Sequence, residues 1–370
     1  MMSRTMRAAR LHKIGEPLRI DEVEVPVPRP TDVLVEVKAC GIVPNLGNVL
    51  RRLYDFPVLC MPKLPAVFGL DATGVVVEKG AQVHGLEIGD RVYVNPARYC
   101  GGCRDCRMYH PQSCPAFTFN GYFGFSKHSQ ALFDDYPYGG FCEFMTAPVY
   151  SLVKLADQVS HETAARWGYL GTGYRALRRA GVGPGSTVLI NGISGTLGLG
   201  IALFALGLGV QQILGTGRDR GLLESVRAIN PGRIQVHSAY DEEPLTDWVH
   251  RLTGGTGVPA VIDALFTETP KEPLLTAMST LRRGGVHVNV GGVTELVPID
   301  MFAAMSRDQS FIGSTWFTTA DGQEMADMAA AGQVDLSVFE HEIFKLADVN
   351  DALSLMKNRR GGFSNYVICP

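Results

Sequence analysis

Thr187-Val-Leu-Ile-Asn-Gly-Ile-Ser-Gly-Thr-Leu-Gly198 is the stretch on which the reading of the chain turns. Val188 to Ile190 form a short apolar run suited to a strand buried on both faces. Gly192, Gly195 and Gly198 follow at three-residue spacing, and Leu199 to Leu208 suit a buried helix. Val210 to Thr216 then read as a second strand, closing in Gly215-Thr-Gly-Arg218. Strand, glycine turn, helix and strand open a dinucleotide-binding βαβ unit. Without side chains in the turn the backbone can approach a pyrophosphate, and the helix N-terminus offers its unpaired N–H groups to that charge. The spacing G-x-x-G-x-x-G departs from G-x-G-x-x-G, so the glycines alone fit equally a tight turn in any α/β domain.

Around this unit the chain is 370 residues long, more than one core accommodates, and two domains are expected. Hydrophobic residues at 46%, charged residues at 19% and 42 glycines describe a turn-rich globular α/β protein. A net charge of −3 supplies no basic footprint for nucleic acid and no general attraction to anionic membranes. The start, Met1-Met-Ser-Arg-Thr-Met-Arg-Ala-Ala-Arg10, is basic but lacks the apolar core of a secretion signal. Ile201 to Val210, the most apolar region, is too short to span a bilayer, and a cytoplasmic location is expected.

Upstream, Met6 to Ala9, Leu18 to Val25, Asp32 to Lys38, Phe68 to Glu78 and Gly89 to Val94 read as short strands separated by glycine and proline. Asp32 to Lys38 alternates, with Val33, Val35 and Val37 on one face, and predicts a half-buried strand. Such a run before any long helical pattern implies a small β-rich domain. Cys100-Gly-Gly-Cys103-Arg-Asp-Cys106 and, after seven intervening residues, Cys114 hold four of the eight cysteines. Four thiolates in one loop can close a tetrahedral Zn²⁺ site with no position left for substrate; two local disulfides or unrelated thiols are the other readings. Arg104 and Arg107 would soften the charge of a four-thiolate site. Between Phe117 and Tyr138 aromatic residues crowd together, as the wall of an apolar pocket, as a subunit interface or as a loop packed on its own domain. After His161, Glu162 to Trp167 and Tyr174 to Arg179 look helical, with Gly168-Tyr-Leu-Gly-Thr-Gly173 interrupting them. Val258 to Asp263 is a strand, Leu274 to Leu281 a helix ended by Arg282-Arg-Gly-Gly285, and His287 to Val290 a strand closed by Gly291-Gly292. This alternation is what a doubly wound sheet requires.

Cys40-Gly-Ile, Phe68-Gly-Leu-Asp-Ala-Thr-Gly, Gly89-Asp-Arg-Val, the four-cysteine loop, Gly139-Gly-Phe-Cys-Glu, Gly171-Thr-Gly-Tyr and Gly362-Phe-Ser-Asn-Tyr-Val-Ile join the glycine turn in one pattern. Together they resemble the medium-chain dehydrogenase/reductase superfamily, and within it the zinc-containing alcohol dehydrogenases, over nearly the whole chain. The resemblance implies an α/β protein: a GroES-like β-rich catalytic domain at 1–160, a Rossmann doubly wound parallel-sheet cofactor domain at 161–316, and a return to the catalytic domain at 317–370. It also implies a cofactor cleft between the two and a homodimer or homotetramer. Thr172 would border the nicotinamide. Gly192, Ser194, Gly195, Thr196, Leu197, Gly198, Thr216, Gly217, Arg218 and Gly291 are the expected cofactor contacts, and Cys100, Cys103, Cys106 and Cys114 the ligands of one structural Zn²⁺.

The departures bear on chemistry. Relatives with catalytic zinc hold it with a cysteine, the histidine of Gly-His-Glu and a second cysteine before the Thr-Gly-Tyr-type turn. Here the first matches Cys40, the histidine position is Leu70 in Gly69-Leu-Asp71, and the second cysteine falls on Gly168 beside Tyr169. Cys40 and Asp71 alone do not make a three-ligand site, so the catalytic metal is expected to be absent. About twenty residues beyond the turn, where an NAD site places a carboxylate, stand Gly217 and Arg218, which suit the 2′-phosphate of NADP(H), with Arg220 in reach. Asp219, one place on, would favour NAD instead. Without a Lewis acid a conjugated C=C or a C=N bond of a small apolar substrate is the easier hydride acceptor, and carbonyl or alcohol chemistry is the alternative. A non-catalytic NADPH-binding protein is a third reading. Tyr169, Asn45, Cys40 and Asp71 are the candidates for proton delivery or oxyanion binding.

Overall fold

A computed structural model describes residues 4–51 and 59–370; residues 1–3 of the basic start lie outside it. The glycine-turn unit forms as its apolar pattern dictates. Thr187–Asn191 is a strand, Thr196–Gly207 a helix and Gln212–Gly217 the next strand, with Val188, Leu189 and Ile190 fully buried. The two strands pair in parallel, as the crossover helix requires. Six parallel strands follow the order Ile234–Ser238, Gln212–Gly217, Thr187–Asn191, Val258–Asp263, Leu281–Asn289, Ser310–Gly313. Strand order therefore reverses beside Thr187–Asn191, and the crevice at the C-terminal strand ends there is where an α/β sheet takes its ligand.

The β-rich part is built on Asp32–Gly41, which pairs antiparallel with Asp71–Lys79, Phe144–Pro148 and Ser364–Cys369. As alternation predicts, Val33, Val35 and Val37 are buried while Glu36 is half-buried and Lys38 exposed, although Leu34, on the face of those two, is buried as well. Glu340–Lys345 lies beside Ser364–Cys369, so the end of the chain completes a sheet begun 300 residues earlier. The fold is α/β, a β-rich unit joined to a doubly wound parallel-sheet unit.

Two local readings change. Gly168-Tyr-Leu-Gly-Thr-Gly173 does not interrupt a helix; Trp167–Ala180 runs straight through it. Glycine is here for close approach rather than for a turn. A Cβ on Gly171 would meet the Phe317 ring at 2.4 Å, and one on Gly173 would meet Ile201 at 2.8 Å. Arg282 to Gly285 belongs to the strand Leu281–Asn289, whose pairing with Val258–Asp263 shifts register there, while the preceding helix is Glu272–Ser279.

Candidate functional site

The glycine turn has the geometry of a phosphate cradle. Gly192 adopts φ +87°, and a Cβ on Gly198 would lie 2.1 Å from the Gly192 carbonyl oxygen. The turn delivers Gly195 as N-cap of Thr196–Gly207 with no side chain closing the helix, so its first N–H groups are not capped from within. Buried polar groups hold the strand ends beneath it. Thr216 Oγ1 donates to Asn191 Oδ1 at 2.6 Å, and Asn191 Nδ2 donates to Asp263 Oδ2 at 2.9 Å. Gly362 N–H donates to the Ser194 carbonyl at 2.8 Å, and a Cβ on Gly362 would fall 2.5 Å from the Gly195 carbonyl oxygen. The end of the chain is thereby seated on the turn. Arg166, fully buried and stacked on Phe339, fixes that segment by donating to the carbonyls of Gly362 and Ser364. Burial pulls the Arg166 guanidinium down to about 10.

At the end of the second strand Arg218 is exposed. Asp219 accepts from Leu222 N–H at 3.0 Å as N-cap of Arg220–Ile229, a structural task that accounts for a carboxylate at this place. Arg220 is occupied on the loop beyond, 3.0 Å from Asp241 and bonded to the Tyr240 carbonyl.

A cleft of about 400 Å³ opens from the turn toward the β-rich part. Gly195, Thr196, Leu197, Thr172 and Gly291 line one side. Phe119, Phe123, Phe125, Trp316 and Leu70 supply an apolar wall, with Phe119 and Trp316 at 4.6 Å between ring centroids and Trp316 Nε1 anchored on Asn95 Oδ1 at 3.0 Å. The aromatic run thus divides: these residues face the cleft, while Phe117, Phe133 and Tyr136 are buried in their own domain. Asn45, Tyr122 and Tyr169 meet in the same cleft. Tyr169 donates to Asn45 Oδ1 at 3.2 Å, and the Tyr122 hydroxyl donates to the same oxygen.

Although Asp71 borders a small cavity beside the cleft together with Tyr169 and Thr196, neither Cys40 nor Asp71 lines the cleft itself. Both are essentially unexposed, and burial, then the Asp71 charge, push the Cys40 thiol well above its ordinary range. Asp71 accepts from Tyr93 at 2.8 Å and from the Gly168 N–H, but burial outweighs these bonds and the Arg166 charge and raises its carboxyl to about 7. At two of the positions that the resemblance gives to ligands of a catalytic zinc, Leu70 offers no ligand atom and Gly168 has no side chain. A Cβ there would lie 2.2 Å from Asp71 Oδ1. Cys100, Cys103, Cys106 and Cys114 bring their sulfurs within 4.8 Å of one another; among the described residues this is the one group of three or more such side chains fit for a metal. Cys100, Cys103, Cys106 and Cys114 form no disulfide, and Cys114 Sγ stands 3.6 Å from Cys100 Sγ, far beyond disulfide length. Backbone N–H groups of Cys103 and Cys106 point at the sulfurs of Cys100 and Cys103, as thiolate ligands require. The donor set fits one tetrahedral Zn²⁺ with no ligand to spare.

Tyr122, Trp316 and Arg359 also line the cleft, and no spacing in the sequence singles them out. Tyr122 stands 77 residues from Asn45, in a run of eight aromatic residues with nothing to mark it from its neighbours.

Fold, glycine cradle and four-thiol loop together define a two-domain dehydrogenase-type oxidoreductase. Comparison with known proteins assigns the family. Residues 29–157 match the alcohol dehydrogenase GroES-like domain, and residues 196–331 match the zinc-binding dehydrogenase domain. An alcohol dehydrogenase of Geobacillus stearothermophilus is 32% identical over 95% of this chain and 96% of its own. An NAD-dependent alcohol dehydrogenase of Sulfolobus acidocaldarius is 30% identical over 96% of this chain and 98% of its own. The crystal structure of a thermostable alcohol dehydrogenase from Pyrobaculum aerophilum superposes with a TM-score of 0.78 at 25% identity, covering 99% of this chain and all of that one. The chain belongs to the zinc-type, medium-chain alcohol dehydrogenase-like superfamily. No helix among the described residues is long and apolar enough to cross a membrane.

Proposed function

We propose that this protein is an NADP(H)-dependent oxidoreductase that works without a catalytic zinc and reduces an activated C=C or C=N bond of a small apolar substrate. One observation carries the reading: Leu70 and a Gly168 sealed by Asp71 stand where a catalytic metal needs two ligands. The cofactor, when bound, supplies the hydride. Gly192, Ser194, Gly195, Thr196, Leu197 and Gly198 would receive its pyrophosphate at the helix N-terminus, with Thr172, Thr216 and Gly291 beside it. Beside Gly217, which Leu223 and Ser194 pack too closely for a Cβ, the exposed Arg218 can pair bidentately with a 2′-phosphate. Asp219 caps the following helix through one carboxylate oxygen. The Phe119–Trp316 wall would exclude water from the apolar substrate, and Tyr169 or Asn45 would meet charge that develops on it.

Similarity to alcohol dehydrogenases supports a second reading, reduction of a carbonyl or oxidation of an alcohol in the same cleft. Metal analysis with a turnover panel separates the two. One zinc per chain and NADPH consumption with enals or iminium ions, but not with simple alcohols, is the expected result. Two zincs per chain and alcohol oxidation would restore the second reading. NADPH binding without turnover of any panel member would make the protein a cofactor-binding protein. We also propose a homo-oligomer joined at the sheet edge Ser310–Gly313, where Leu296, Met301, Phe302 and Met305 are exposed. Light scattering that finds a monomer at micromolar concentration would refute it.

A further inference from the structure

We propose that Tyr122 is a positioning residue of this site, holding Asn45 so that the Tyr169 hydroxyl is the donor passed to an oxygen of the substrate. This rests on the cleft being a reductase site. Asn45 stands at the N-cap position of Leu46–Leu50, where an asparagine side chain ordinarily accepts from the first helical N–H groups, yet it makes no such bond. Its side chain reaches the two phenols instead. An amide oxygen has two lone pairs, and the two hydroxyls engage both. The bond from Tyr169, at 3.2 Å, lies at the long end for a hydroxyl donor and is correspondingly weak. A substrate oxygen entering the cleft can take the Tyr169 hydrogen by rotation about one C–O bond. Tyr122 meanwhile keeps the Asn45 oxygen satisfied, so the exchange leaves no part-buried acceptor bare.

This arrangement narrows the substrate class. An iminium brings no oxygen to receive the proton, whereas a conjugated carbonyl does, and an aryl or alkyl substituent fits against Phe119 and Trp316. With a reduced nicotinamide as hydride donor, hydride and its electron pair go to the substrate carbon. The O–H bond of Tyr169 breaks, its proton goes to the substrate oxygen, and the phenolate regains a proton from solvent.

The test compares wild type with Tyr122→Phe, Asn45→Ala and Tyr169→Phe. In protein labelled with ¹³C at the tyrosine Cζ, free of cofactor and substrate, the Tyr169 resonance is the one lost in Tyr169→Phe. It should move in Tyr122→Phe, because Tyr169 then binds Asn45 Oδ1 without a competing donor, and it should move in Asn45→Ala. On a conjugated enal, kcat of Tyr122→Phe should fall about tenfold with KM within about twofold, as loss of one hydrogen-bond donor implies. Its solvent deuterium isotope effect should rise, because proton delivery becomes limiting. A Tyr169 resonance that stays put in both variants overturns the proposal, as does a kcat loss with an unchanged isotope effect. Should wild type reduce no enal or ketone at all, the reductase reading itself fails, while the resonance shift still reports whether Tyr122 holds the group. If Tyr122→Phe does not fold, the Asn45→Ala resonance and isotope effect decide in its place.

Discussion

Replacing Asp71 by asparagine should make the protein more stable in alkaline solution and should flatten its pH dependence. Burial raises the Asp71 carboxyl from 3.8 to about 7 despite the bonds from Tyr93 and the Gly168 N–H. Between those two values the folded chain holds a proton that the unfolded chain has released. Stability is therefore greatest below about pH 4 as far as this group is concerned, falls as pH rises through the window, and is fully reduced above about 7. Three pH units correspond to roughly 4 kcal/mol, and the part that falls between pH 5 and pH 8 to about 2–3 kcal/mol. Asparagine keeps an oxygen for the Tyr93 hydroxyl but presents an NH₂ group in place of the second oxygen, an exchange that costs about 1–2 kcal/mol. Asp71→Asn should then match wild type near pH 5 and exceed it by about 2 kcal/mol at pH 8, read from urea unfolding followed by circular dichroism. Parallel pH trends for the two proteins would mean that Asp71 is ionised in the fold at no cost, and the burial reasoning would be wrong.

Four further outcomes are expected. Arg218→Ala should raise KM for NADPH about tenfold and leave NADH unaffected, in initial-rate measurements with either cofactor; equal effects on both would remove Arg218 from 2′-phosphate recognition. Cys103→Ser should abolish the one zinc per chain seen by elemental analysis and lower the unfolding midpoint, because a three-thiolate remnant no longer closes the tetrahedron. Leu70→His with Gly168→Cys should leave zinc content at one per chain, because a side chain at 168 meets Asp71 at 2.2 Å; a second equivalent of zinc would show that Asp71 yields. Gly198→Ala should destabilise the protein by about 2–3 kcal/mol and weaken NADPH binding measured by fluorescence, given the 2.1 Å approach to the Gly192 carbonyl.

Much of the fold was legible because its signals are local. Thr187–Asn191, the glycine turn and Thr196–Gly207 follow from apolar period and missing side chains alone, and the four-cysteine loop declares its ligand set within fifteen residues. Where local reading failed, a distant neighbour had decided the matter. Gly171 looked like a helix breaker but is a contact made by Phe317, 146 positions away. In the cleft the same limit applies. Asn45 and Tyr169 were readable as candidates, but their meeting on one amide oxygen with Tyr122 depends on loops brought together only by the tertiary fold.

The seating of Gly362 on the Ser194–Gly195 turn has a bearing on how the protein is made. During synthesis the Rossmann strands leave the ribosome well before residues 359–369, yet the turn they present lacks its covering backbone until that late segment arrives. Ser364–Cys369 also supplies the neighbour that Cys40 and Gly41 await. Co-translational folding can therefore shape both domains early, but the cofactor site and the central sheet close together, in one late event that joins residues more than 300 positions apart.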